Sequence, residues 1–158
     1  MLPVSVEVKR LKAAEAVTAV SAVRLLKTPD GYPLPSVEAM SRFLSRPENV
    51  LIIATMGDLP VGYIVAYLLD RVDRDQQMMF FYEIGVGERY RRRGIGKRLV
   101  HELKAICRAH HVMKMWVPTS RSNLAATTLY ASTGGVPLPN DDEVTYAYSR
   151  DTFMHGEE

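Results

Sequence analysis

The sequence predicts one mixed α/β domain, a central mixed sheet flanked by about four helices. Three features point to it. A chain of 158 residues suits a single hydrophobic core and shows no linker or repeat, so residues 1–158 are expected to form one domain. The predicted elements run β-α-α-β-β-β-α-β-α-β, with strands grouped in the middle rather than alternating strictly with helices. The third strand, "VGYIVAYLL", is apolar at both parities, which places it centrally with cover on each face.

Each element has its own signal. "VSVEVKRL", from Val4, alternates apolar and polar residues as a half-buried strand does. "AAEAVTAVSAVRLLK" is rich in alanine and leucine and reads as a helix ending near Lys27. "TPDGYPLP" is loop, and Ser36 can cap a second helix running to about Ser45. "NVLIIATM" and the third strand are joined by the turn "GDLP". After the charged connection "DRVDRDQQ" comes a fourth strand, "MMFFYEIGV". Ile95, Leu99, Leu103 and Ile106 then recur at helical spacing, with Lys97, Arg98, His101, Lys104 and Arg108 facing away. "VMKMWV" is a fifth strand, "RSNLAATTLYAST" a fourth helix and "DEVTYAYS" a last strand.

Bulk composition narrows the function classes. The chain is 47% hydrophobic and 24% charged with a formal net charge of +2. That is an ordinary globular composition, without the overall positive field of a nucleic-acid binder. Cys107 is the single cysteine, so an intrachain disulfide is excluded, the usual zinc spacings are missing and no metal is expected. Among apolar helix neighbours it reads as a small core residue. "MLPVSVEVKRLKAAEAV" lacks the order of a signal peptide, and no apolar run reaches the length of a membrane span. A cytoplasmic setting is expected.

The stretch "GERYRRRGIGKRL" needs a local explanation. A P-loop would require glycine at position 91 and Ser or Thr at 98, and both are arginine. A dinucleotide fingerprint would require a third glycine at position 99, which is Leu99. The remaining geometry is a strand ending at Val86, a turn, and a helix starting near Gly94. The first amides of such a helix lack internal partners, and the macrodipole adds positive charge there. Gly94 and Gly96 let a phosphate approach, while Arg91, Arg92, Arg93 and Lys97 add formal charge. This combination predicts a pyrophosphate site.

Arg91-x-x-Gly94-x-Gly96 after an apolar strand resembles the acetyl-CoA-binding motif of the GCN5-related N-acetyltransferases (GNAT). Asn123-x-x-Ala126-x-x-Leu129-Tyr130 resembles a later helix of that family, and the element order agrees over nearly the whole chain. The resemblance implies a GNAT fold, with a mixed, mostly antiparallel central sheet of six to seven strands, and acetyl-CoA as cofactor, its pyrophosphate held by amides of residues 92 to 97, Ile95 included. It implies that strand four, at Ile84, Gly85 and Val86, pairs with the pantetheine arm where that strand splays from strand five. Asn123, beside Ala126, would bond the arm's amide, and Tyr130 would sit near the sulfur. It also implies dimers through the C-terminal strands. One place departs from the family: glycine and an aromatic usually follow this tyrosine, and this chain has Gly134-Gly135.

The segment from Val65 to Val100 is similar in layout to the aminoglycoside 3-N-acetyltransferases, which confer antibiotic resistance. The shared features are a tyrosine-bearing third strand, a connector of matching length and a carboxylate three residues before the valine. That carboxylate is Glu83, where those enzymes more often carry Asp.

Acetyl transfer to an amine needs a base, help for the developing oxyanion and a proton for the thiolate. Glu83, set among Phe80, Phe81 and Tyr82, is the candidate base, since burial would raise its affinity for a proton. The bland alternative is a strand carboxylate paired with a nearby arginine. Tyr130 is the candidate acid and the Val86 amide the candidate oxyanion donor. Tyr82 and Glu83 would face the acceptor. Asp70, Asp73 and Asp75 in the connector, with Asp141, Asp142 and Glu143 before the last strand, could attract a cationic aminosugar. His101, His110 and His111 read as polar-face and helix-end residues. The competing functions are acetylation of a protein or peptide amine or of another small amine, a non-catalytic acyl-CoA sensor, and RNA or DNA binding through "RYRRRGIGKR", against which the lack of a wider basic face speaks.

Overall fold

The computed structural model describes residues 4–27, 31, 33–139, 146 and 149. Strands β1 (Val6–Arg10), β2 (Asn49–Met56), β3 (Leu59–Asp70), β4 (Gln77–Val86) and β5 (Lys114–Trp116) form one sheet in the order β1-β2-β3-β4-β5. The first four are antiparallel in succession, and β5 joins β4 in parallel. The chain crosses over between them through α3 (Ile95–Ala109), as a parallel pair requires. The remaining helices are α1 (Ala16–Leu26), α2 (Val37–Leu44) and α4 (Leu124–Ser132).

This is the expected mixed architecture, with five strands among the described residues. The predicted last strand lies almost entirely outside them, as do the acidic residues Asp141, Asp142 and Glu143; the expected dimer contact through the C-terminal strands falls largely there too. β5 is shorter than its apolar signal, three residues out of "VMKMWV". The expected helix before Lys27 opens as a 3-10 turn at Ala13–Glu15. Ser36 caps α2 as expected, its hydroxyl oxygen accepting from Ala39 N at 3.1 Å.

The sheet separates two cores. On one face Ile52, Ile64, Ala66, Met79 and Phe81 pack against Ile95, Leu99, Leu103 and Ile106 of α3. On the other Leu51, Ile53 and Tyr63 pack against Ala19, Val20, Met40 and Leu44 of α1 and α2. β3 is buried on both faces, as its composition demands. Each fully buried aliphatic side chain here contributes about 1.5–3 kcal/mol. Gly62 lets α3 approach, because a Cβ there would lie 3.0 Å from Leu99 Cδ1. Among the described residues, no helix is long and apolar enough to cross a membrane.

Two irregularities shape the β4 end of the sheet. Pairing between β3 and β4 slips by one residue, with Val65 opposite Glu83 and Ala66 opposite Phe81, so Tyr82 is a β-bulge. Pairing between β4 and β5 stops at Phe80 and Trp116, although β4 continues to Val86.

Candidate active site

The segment between β4 and α3 is an open ring of amides. Arg92 (φ 61°) and Gly94 (φ 77°) are both left-handed, which turns successive N–H groups toward one concavity. None of the backbone N–H groups of residues 92–97 meets an acceptor among the described residues; Arg98 donates first, to Gly94 O at 3.1 Å. A left-handed arginine costs about 1–2 kcal/mol, and strain of this kind gathers at ligand sites. Arg91, Arg92, Arg93, Gly94 and Lys97 are exposed around the ring, and Ile95 is buried beneath it.

The two glycines act for different reasons. Gly94 is required by its φ, since a Cβ there would meet nothing within 4 Å. At Gly96 a Cβ would lie 3.2 Å from Leu129 Cδ2, so this glycine lets α4 close over the start of α3. Gly96 thus has a packing reason that the sequence reading did not include.

The free edge of β4 continues from the amide ring. Gly87 N donates to Val61 O at 2.9 Å, and antiparallel alternation then turns the N–H and C=O of residues 83 and 85 toward β3. Ile84 and Val86 turn theirs to the open edge, and Arg91 Nε reaches the Val86 carbonyl at 3.1 Å. Of the three strand residues expected to line the cofactor, Ile84 and Val86 therefore present backbone groups and Gly85 does not. Gly85 is a packing residue: a Cβ there would lie 2.4 Å from Tyr63 Cε1.

The bulge decides where Glu83 points. Strict alternation would set it with Phe81 against α3. One extra residue at Tyr82 puts it opposite Val65, which packs on the α1/α2 side, so Phe80, Tyr82 and Glu83 share that face. There the Glu83 carboxylate accepts from Lys27 Nζ at 2.8 Å, with the two side chains 29% and 39% exposed. The expected burial among aromatics is thus replaced by a half-open ion pair, and its cation is Lys27 where the alternative reading expected an arginine. Around it Phe43, Tyr67, Tyr82, Phe80 and Trp116 form a continuous run of ring contacts at 5.1–6.0 Å. Burial, aided by the Glu83 charge, pushes the Tyr63 phenol up. Burial also raises Tyr67, with the neighbouring Tyr82 and Glu83 adding to it.

α4 supplies the second motif. Asn123 is exposed and caps the helix, its Oδ1 accepting from Ala126 N at 3.1 Å; that oxygen is committed to the helix, leaving the amide nitrogen for a ligand. Tyr130 packs edge-on against Phe81 with ring centroids 5.5 Å apart. It borders a cavity of about 180 Å³ shared with Val100, Lys104, Met115 and Val117, and burial raises its phenol. Gly134-Gly135 closes the helix: Gly135 N donates to Tyr130 O at 2.8 Å and Gly134 N to Ala131 O at 3.2 Å, a Schellman turn with Gly134 at φ 95°. Lys104, expected on the polar face, instead donates to Thr133 O at 2.8 Å.

The remaining candidates are not brought together with these groups. Asp73 is engaged by Arg71 at 2.7 Å through both oxygens and by Arg74 at 3.0 Å, contacts that hold its carboxyl down at about 2. Asp70 accepts from Gln77 Nε2 at 2.8 Å, and Asp75 is exposed, as are His101, His110 and His111. Cys107 is half-buried beside Met115, with its thiol pushed up by burial.

Residues 18–134 match the model of the acetyltransferase (GNAT) family. No curated protein matches the chain. An aminoglycoside acetyltransferase from an uncultured soil metagenomic sample, meta-AAC0020 in complex with trehalose, superposes with a TM-score of 0.81 at 19% identity, covering 91% of this chain and 95% of that one. AAC(6')-Iy in complex with CoA gives 0.72 at 17%, covering 95% and 99%. The ribosomal-protein-alanine N-acetyltransferase of Brucella melitensis biovar Abortus 2308 gives 0.69 at 17%, covering 92% and 99%. At these identities the likeness establishes the fold.

Proposed function

The chain belongs to the GNAT family of acetyltransferases, and on that premise we propose that it moves an acetyl group from acetyl-CoA to a primary amine of an aminoglycoside, at the 3-amino position. Carried out in the cytoplasm, such a reaction would confer resistance on the host cell. The supporting observation is one continuous surface. Six amides without an acceptor among the described residues open onto a β4 edge that β5 leaves beyond Phe80, and a bulge turns Glu83 outward beside that edge.

In this reading acetyl-CoA, when bound, supplies an activated acyl carbon and a thiolate leaving group. The amides of residues 92–97, with Arg91, Arg92, Arg93 and Lys97, hold its pyrophosphate. The edge groups of Ile84 and Val86 and the Asn123 amide nitrogen orient the arm. Glu83 takes a proton from the acceptor amine, directly or through water. The Val86 N–H steadies the developing oxyanion. Tyr130, kept protonated by burial, returns a proton to the sulfur. Tyr82, 55% exposed, offers the acceptor a flat ring surface beside the carboxylate.

Free-thiol release with acetyl-CoA and a panel of gentamicin-type aminoglycosides, peptides and simple amines tests this. Turnover is expected with the aminoglycosides, and Glu83→Gln is expected to lower kcat about 10²–10⁴-fold. Turnover confined to peptides would overturn the acceptor assignment. Full activity in Glu83→Gln would remove that residue from the mechanism. Coenzyme binding without thiol release from any amine would leave a sensor.

A further inference from the structure

Resting on that reading of Glu83, we propose that Lys27 occupies the place of the acceptor amine and is itself acetylated by the enzyme when no external amine is present. Lys27 ends α1, its N–H donating to Val23 O at 3.0 Å and its backbone already extended (φ −89°, ψ 134°). That geometry sends the side chain across 56 residues of sequence to the one carboxylate the bulge exposes. A primary amine 2.8 Å from the carboxylate meets the distance requirement for general-base attack. Glu83 lies one residue from Ile84, whose backbone groups face the edge assigned to the cofactor arm.

The other five lysines lie elsewhere. Lys9 pairs with Glu15, Lys104 caps α4, and Lys12, Lys97 and Lys114 are exposed.

The step balances without further reactants. The Lys27 ammonium passes one proton to Glu83, and its nitrogen lone pair forms a C–N bond to the acetyl carbonyl carbon. The C–S bond breaks with its electron pair on sulfur. The second nitrogen proton ends on the thiolate, and Glu83 releases the first to water. The products are an N-acetyl-lysine and free coenzyme thiol. Acetylation also discharges Lys27, so the Glu83 carboxylate loses its resident cation and becomes available to the ammonium group of an external acceptor.

The experiment incubates the full-length chain with acetyl-CoA alone and follows each lysine by peptide mass mapping. Lys9 and Lys97 serve as references in the same sample, and Glu83→Gln and Lys27→Arg are run beside it. Lys27 is expected to gain an acetyl group at least about tenfold faster than the references, at a rate independent of protein concentration, as an intramolecular reaction requires. Glu83→Gln should remove that excess. Lys27→Arg, which keeps the charge, should abolish the stoichiometric burst of thiol seen without acceptor. Thiol release with an aminoglycoside while Lys27 reacts no faster than Lys9 and Lys97 would overturn the proposal and leave the function intact. Selective Lys27 acetylation without turnover of any aminoglycoside would do the reverse.

Discussion

Gly85 stands at the edge assigned to the cofactor, yet its geometry ties it to packing, and the two roles separate cleanly in Gly85→Ala. The added Cβ would sit 2.4 Å from Tyr63 Cε1 and 3.0 Å from Cζ. Tyr63 is 6% exposed and wedged into the α1/α2 core, so its ring has little room to swing away. Overpacking of this kind costs about 1–3 kcal/mol. A domain of this size loses about 2–4 °C of melting temperature per kcal/mol, giving an expected drop of about 2–12 °C. Thermal melts of wild type, Gly85→Ala, Tyr63→Leu and the double variant form the assay. Removing the ring should relieve most of the alanine penalty, with a coupling of about 1 kcal/mol or more. An alanine cost equal in both backgrounds refutes the clash. So does a variant that melts like wild type but loses coenzyme affinity.

Gly94→Ala should behave in the opposite way. The new methyl meets no neighbour within 4 Å, but φ 77° is strained for alanine, so stability falls by about 1 kcal/mol. The amide ring distorts with it, and calorimetry should show coenzyme A binding weakened roughly tenfold or more as charge-assisted bonds are lost; unchanged affinity would remove the ring from the binding site. Burial pushes the Tyr63, Tyr67 and Tyr130 phenols above their ordinary value of 10.0. The folded state then holds these protons more tightly than the unfolded chain, so their stabilisation is complete below pH 10.0 and is lost as pH rises beyond it. Melting temperatures measured across that range should fall less steeply in the triple Phe variant, and identical slopes would sink the assignment.

The elements legible in the sequence are those whose physics is periodic. α3 is readable from Ile95, Leu99, Leu103 and Ile106 because burial repeats with the helix turn. β3 is readable because two-sided burial leaves no polar parity. Ser36 is readable from local capping, and the turn before α3 from Gly94, whose φ is left-handed. What stays hidden depends on a single residue or on distant pairing. A bulge inserts one residue without altering composition, so nothing in "MMFFYEIGV" marks Tyr82 as the slip. The Lys27–Glu83 pair joins the end of a helix to a strand 56 residues away. Gly85 and Gly96 look like ligand glycines in a motif, and only the positions of Tyr63 and Leu129 show that they answer to packing. A signal for Gly134-Gly135 does exist, since paired glycines after an apolar helix mark a Schellman close.

The bulge and the free edge depend on each other. A carboxylate at position 83 in strict register would project beside Phe81 into the core against α3, where an unpaired charge costs several kcal/mol. With the slip, the same residue reaches the half-open face and finds Lys27. A bulge in the middle of a fully paired strand would disturb ladders on both sides. Beyond Phe80, β4 has β3 as its neighbour and no β5, so only one ladder is disturbed. The early end of β5 thus makes the bulge tolerable, and the bulge makes an acidic residue tolerable beside the opening. The two irregularities are one device, which places a carboxylate beside the edge of β4 that β5 leaves open.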